Sequence, residues 1–231
     1  MTSTFVSTIM GRGYWKTSVR PLALRPDRLV IGPNIVEQMR SVSVQLRGWD
    51  FPHVDFNTAP MIEMESIGQN TDWKYFRELW RVYKSGQCVH WAGMRHDWGA
   101  DRQFGPAQED PGNASILGVG DAIYRFMEVG LFGSAYVAQV LGGEPATVTI
   151  EVGGLRGRHL VIDDPRRLGF TQAHVASTER PYSAELVIGG AIEREAVLAW
   201  ARTAAQGLFR LFGAEIGDNA VDDWQGKVGG W

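Results

Sequence analysis

The chain has one cysteine, Cys88, so an intramolecular disulfide is excluded and so is a four-cysteine zinc knuckle. It has no long apolar run: none approaches the roughly eighteen uninterrupted residues of a membrane-spanning helix. The opening MTSTFVSTIMGRGYWK has no basic segment followed by a sustained apolar one. It has no dominant charge either. With 23 Lys and Arg against 26 Asp and Glu, the net of -3 gives no bulk attraction to nucleic-acid phosphates, so nucleic acid as a partner requires a local basic patch. Catalytic signatures are missing too. No nucleophile elbow frames Ser66 or Ser85, and GVGDAIYRF places two glycines before a helix without the lysine-serine pair or third glycine of a phosphate cradle. These absences lead us to expect a cytoplasmic protein with no membrane partner and no cofactor.

What is present is core-forming. Of the 231 residues 44% are apolar, ample for a buried core. In RPDRLVIGPNIVEQMRSVSVQL, Ile35, Met39, Val42 and Leu46 share one helical face, predicting a helix from near Pro33 to Gly48. In APMIEMESIG, Met61, Glu63 and Glu65 alternate with Ile62, Met64 and Ser66, predicting a half-buried strand. FRELWRVYKSGQCVHWAGM reads as two strands around Lys84, Ser85 and Gly86, pairing residues near 76–83 with those near 87–94. The register stays open, and with it which row faces the core. Residues 96–114 have loop composition.

SILGVGDAIYRFMEVGLFGSAYVAQVLGG is apolar around most of its circumference. It predicts a helix of about six turns buried on more than one side, by the sheet or by a partner. Gly130 and Gly133 within it point to the close approach of another backbone. ATVTIEVGG and GRHLVIDD predict a second hairpin, and YSAELVIGG a further strand. AIEREAVLAWARTAAQGLFRLFGAE predicts a helix with the apolar stripe Val197, Ala201, Ala204, Leu208 and Leu211. The expected fold is therefore α+β: an antiparallel sheet with two long helices packed on it, plus a short N-terminal helix. Residues 1–215 form the expected single domain, and 216–231 a loosely structured tail with Trp224 and Trp231 as aromatic anchors.

The reactive side chains are scattered. A hydrolase or metal-dependent nuclease would draw on His53, Asp55, His90, Glu63 and Glu65, with His96, Cys88, Glu151, Asp163 and Asp164 as further polar groups, but no compact ligand spacing gathers them, and no metal is expected. A nucleic-acid-binding module would use Arg156, Arg158, Arg166 and Arg167, with tryptophans available for stacking. Nine tryptophans exceed what a core of this size needs, and Trp80, Trp91 and Trp98 join those arginines as candidate binding residues, since aromatics and arginines anchor interfaces.

Three stretches, SVQLRGWDFPHVDF, WRVYKSGQCVHW and the closing helix with LFRLFGAEIG, resemble an uncharacterised bacterial module that occurs alone or appended to Schlafen/AlbA-like ATP-binding or helix-turn-helix proteins. The resemblance implies a regulatory or sensing role, in bacterial stress or antiviral defence, and it transfers no catalytic residue. The expected function is a non-enzymatic interaction or sensor domain that binds a protein partner, a second copy of itself or a small ligand.

Overall fold

The alternation on either side of Lys84, Ser85 and Gly86 is a hairpin in which Val82 pairs with Cys88, Trp80 with His90 and Glu78 with Ala92. Gly86 supplies the left-handed turn residue, at φ 82°. The register settles the faces. Glu78, Trp80, Val82, Cys88, His90 and Ala92 are all buried on the core side, whereas Val89 and Trp91 are half-buried on the other.

The computed structural model describes residues 2–190 and 192–227. In chain order it runs α1 (Thr2–Met10), β1 (Tyr14–Pro21), α2 (Pro33–Val42), β2 (Met61–Ile62), β3 (Ser66–Trp73), β4 (Phe76–Tyr83) and β5 (Cys88–Gly93). A short 3-10 turn at Arg95–Trp98 and an irregular stretch lead to β6 (Ile116–Gly118) and α3 (Val119–Gln139). There follow β7 (Ala146–Gly153), β8 (His159–Val161), β9 (His174–Val175), β10 (Tyr182–Ile188), α4 (Arg194–Arg210) and α5 (Asp218–Gly226).

The protein is α+β, as the sequence predicts. Seven strands form an antiparallel sheet in the order β10-β7-β1-β5-β4-β3-β2, and β6, β8 and β9 form a small second sheet. β1 holds the sheet together: Thr17 lies between His90 on one side and Ile150 on the other. The two long helices pack on the core side, α3 touching β7, β10, α2, α4 and α5. The apolar circumference of α3 is thus consumed within the chain, and no partner is needed to explain it. Gly130 and Gly133 accommodate side chains rather than a backbone: a Cβ on Gly130 would lie 2.6 Å from Val197, and one on Gly133 2.5 Å from Val148. Among the described residues, no helix is long and apolar enough to cross a membrane.

Four local readings differ from what forms. α2 ends at Val42, where Ser43 is extended and its hydroxyl turns back to the Met39 carbonyl at 2.9 Å. The strand expected through Met61 to Ser66 is interrupted, because Glu63 N bonds Ser66 O and folds the segment into the β2–β3 hairpin. β7 and β8 are not a hairpin: β7 pairs with β1 and β10, whereas β8 leaves for the second sheet, where it runs parallel to β6. In the tail, residues 218–226 form helix α5, docked by Val221 and Trp224, which belong to the main core cluster. Trp231 lies outside the described residues.

Candidate functional site

The only charged residues of α3 are Asp121, Arg125 and Glu128, spaced four and three apart and hence on one stripe of an otherwise apolar helix. That stripe meets Arg47, from the loop after α2, and Arg95, from the 3-10 turn. Arg47 donates to both Glu128 oxygens at 2.9 Å and to Asp121 Oδ1 at 2.5 Å. Arg95 Nη2 donates to the same Asp121 oxygen at 2.8 Å, and Arg125 Nη1 lies 3.3 Å from Glu128 Oε2. The result is a chain of charges, Arg95–Asp121–Arg47–Glu128–Arg125, with three cations on two carboxylates.

Burial penalises every charge in this chain, and the neighbours decide the outcome. For Asp121, burial raises the pKa, but Arg47, Arg95 and Arg125 hold the carboxyl far below its ordinary range. For Arg47, burial lowers the pKa, and Glu128 and Asp121 more than reverse it, so its guanidinium stays charged. Arg125 is the exception. Burial outweighs Glu128 and leaves its pKa lowered, and its Nε, although buried, has no hydrogen-bond partner.

Beside this chain Glu78 joins the core to the surface. Its carboxylate accepts from His90 Nε2 at 2.7 Å, from the Trp49 indole N–H at 2.6 Å and from the His53 amide at 3.3 Å. Burial alone would raise the Glu78 pKa, but the His90 and Trp49 contacts bring it down to about 2, so it is an anion at neutral pH. The bond from Trp49 sets the orientation of an aromatic stack. The Trp49 ring lies 3.8 Å from Phe76 and 4.1 Å from His53, and it is parallel to Trp73 within 2°. Trp73, at the tip of the β3–β4 hairpin, is 50% exposed. The turn there is Lys74–Tyr75, and Lys74 adopts φ 52° without being glycine, a strained conformation worth roughly 1 kcal/mol. Its ammonium lies 4.5 Å from the Trp73 ring. Nearby, Arg12 and Arg77 both lie over Trp98, at 4.1 and 4.4 Å.

Arg47, Arg95 and Arg125, with Trp49 and Phe76, line a cleft of about 240 Å³ of empty space, of which Glu128 and Asp50 form the acidic wall. Its interior has room for about one water-sized group. Chemically the arrangement offers guanidinium donors beneath an exposed aromatic surface. Of the two histidines, His90 meets Glu78 through its imidazole, whereas His53 meets it only through its backbone amide and stacks its ring on Trp49.

The other sequence candidates lie elsewhere. Asp55 is a turn residue that accepts from Asn57 N and from the Thr58 hydroxyl. Glu63 takes the Ser66 hydroxyl at 3.2 Å, and Glu65 pairs with Lys84 at 3.1 Å. His96 sits near Asp121, its pKa lowered by burial, and burial pushes the Cys88 thiol up, away from a reactive thiolate. Among the described residues, no three His, Cys, Asp or Glu side chains are placed to hold a metal ion together. The four arginines form no single patch. Arg156 pairs with Glu179; Arg166 and Arg167 pair with Asp164, and Arg167 also with Asp223. Arg158 is buried against Asp97. Of the tryptophans, Trp80 is a core residue that donates to the His53 carbonyl, Trp91 lies on the far face of the sheet beneath Lys16, and Trp98 belongs to the rim described here. Sequence reasoning missed Arg47, Trp49, Glu78, Arg95, Asp121, Arg125 and Glu128. The charged stripe on α3 is the signal that would have found three of them, because a buried charge is more informative than an exposed one. No family model matches the chain, and neither a curated protein nor a solved structure does, so this geometry stands without a relative to compare.

Proposed function

We propose that the protein is a non-enzymatic recognition module, a sensor or regulatory domain of the cytoplasm, whose binding surface is the sheet end formed by Trp49, Trp73, Phe76 and Trp98. The observation that carries this reading is the exposed Trp73, held parallel to a Trp49 that is itself fixed by the buried Glu78 carboxylate. Such an aromatic face is pre-organised, so a ligand binding there has little ordering entropy to overcome. Arginine beside aromatics is the composition of binding hot spots. The occupant is a small ligand or an exposed segment of a protein partner, including another copy of the chain. The likeness to modules appended to Schlafen/AlbA-like or helix-turn-helix proteins supports a regulatory role in bacterial stress or antiviral defence.

The test is a thermal-shift and tryptophan-fluorescence titration of the purified chain against mononucleotides, free aromatic amino acids and short peptides, repeated with Trp73→Ala. At least one compound is expected to raise the melting temperature of the wild type and to lose that effect in the variant. A wild type that responds to nothing, or responses that Trp73→Ala leaves intact, would overturn the assignment of this surface.

A further inference from the structure

We infer that the cavity between the second sheet and the loop at 107–111 binds a small aromatic amine, a single ring carrying a protonated nitrogen. This site is separate from the recognition surface above, since none of Trp49, Trp73, Phe76 and Trp98 lines it. Size sets the first limit. The cavity encloses about 200 Å³. A cavity of about 150 Å³ accepts a benzene ring, so one ring with a short substituent fits. Three pieces of chain wall it: the loop, β8 from His159 to Val161, and the segment from Phe170 to His174. These walls are tied to one another by the protein itself. Gln108 Oε1 accepts from the Ile162 amide at 2.9 Å and from the Phe170 amide at 3.3 Å, and Gly169 N donates to Pro106 O at 2.8 Å. A cavity held in this way needs little ordering when it is filled.

Chemistry sets the second limit. Glu109 and Asp110 line the cavity, and neither lysine nor arginine does. Among the described residues the Glu109 carboxylate has no hydrogen-bond or ion-pair partner, and Asp110 accepts only from the Gly112 amide, at 2.9 Å through Oδ1. Arg102, a little earlier in the chain, donates to the carbonyls of Gly112 and Ala114 and neutralises neither acid. His174 continues the pattern. Its Nδ1 stands 3.3 Å from the Phe212 carbonyl oxygen, which can only accept, so in the neutral ring the proton sits on Nδ1 and Nε2 is left an acceptor. Two carboxylates and an imidazole acceptor call for a donor-rich cation and work against an anion. Phe170 calls for the ring. It is half-buried and makes an edge-to-face pair with His174 at 4.6 Å, with Leu160 in the same lining. A flat apolar group can extend that pair, whereas a bare ammonium would leave the apolar side of the cavity facing water.

The experiment is an NMR titration of the full chain with benzylamine, benzyl alcohol, benzoate and n-butylamine, read at the imidazole signals of His159 and His174 and at the tryptophan indoles. Benzylamine is expected to shift both imidazoles and to bind roughly tenfold or more tightly than benzyl alcohol, as one charge-assisted bond implies. n-Butylamine, which has the charge of a lysine side chain without the ring, should bind about tenfold more weakly than benzylamine. Benzoate should not bind. Glu109→Gln combined with Asp110→Asn should bring benzylamine down to the level of benzyl alcohol; both positions are exposed, so the fold is retained. Trp73→Ala should change nothing. If Trp73→Ala abolishes benzylamine binding, the amine sits on the aromatic surface instead, which overturns this inference and leaves the recognition surface standing. Benzyl alcohol or benzoate matching benzylamine, or the double variant keeping its affinity, would overturn the choice of a cation. n-Butylamine binding as tightly as benzylamine would overturn the ring. If none of the four shifts the two imidazoles, the inference fails.

Discussion

Two arginines, Arg158 and Arg125, are both withdrawn from solvent beside a carboxylate, and they differ in how their donors are used. Arg158, 2% exposed, donates to both oxygens of Asp97 and to the carbonyls of Gly154 and Ile116. Asp97 in turn accepts from the Gly13 amide at 2.8 Å. That unit is closed: it ties the entry to β1, the 3-10 turn, β6 and the loop after β7 into one joint. Arg125 shares its only carboxylate and leaves Nε without an acceptor at the wall of a cleft. Residue type is the same in the two regions, and Arg125 is the less deeply buried, its side chain 11% exposed against 2% for Arg158. What separates them is how fully the protein itself satisfies the guanidinium.

The largest effect that would break this contrast lies at the closed joint. Arg158→Met leaves Asp97 buried without its counter-charge and should cost about 3–5 kcal/mol in urea unfolding. Arg125→Gln, whose acid partner keeps both bonds to Arg47, should lose less than half as much; equal losses would show that both arginines are architectural. A smaller effect concerns Asp163, which accepts from the Gly120 and Asp121 amides at the N-terminus of α3. Burial and the neighbouring Asp121 raise its pKa to about 6. Between the ordinary carboxylate value and 6 the folded state holds a proton that the unfolded chain has released, so stability falls as pH rises through this window. Relative to Asp163→Asn, the wild type should therefore gain stability when pH is lowered from about 7 to 5. Parallel unfolding curves for the two proteins across that range would contradict it. The smallest effect is at the hairpin tip. Lys74→Gly removes a left-handed non-glycine residue and should raise stability by about 0.5 kcal/mol, a relief partly offset by the freer unfolded chain.

Legibility in the sequence followed the range of the interactions. The β4–β5 hairpin could be read because alternation and a glycine turn are local, and α3 and α4 because their periodicity spans several turns. The supposed β7–β8 hairpin failed because adjacency in sequence was taken for adjacency in the sheet, whereas Ala146–Gly153 finds its partners in Tyr14–Pro21 and Tyr182–Ile188. The site was less legible still. His90 could be named from its chemistry, but Glu78, which takes its imidazole and the Trp49 indole, looked like an ordinary polar residue of a strand. Arg47 and Glu128 are 81 residues apart, and nothing in either neighbourhood announces the other. Only folding α3 against the loop after α2 brings them together.

The central position of α3 bears on how this molecule can come apart. Because the helix touches β7 and β10 beneath it and α2, α4 and α5 around it, it has no side from which it can be peeled away alone. Opening it means opening everything, so its amides should exchange with solvent only when the whole chain unfolds. The hairpin tip at Trp73–Phe76 has no such enclosure. Motion there need not disturb the helix that carries Asp121, Arg125 and Glu128.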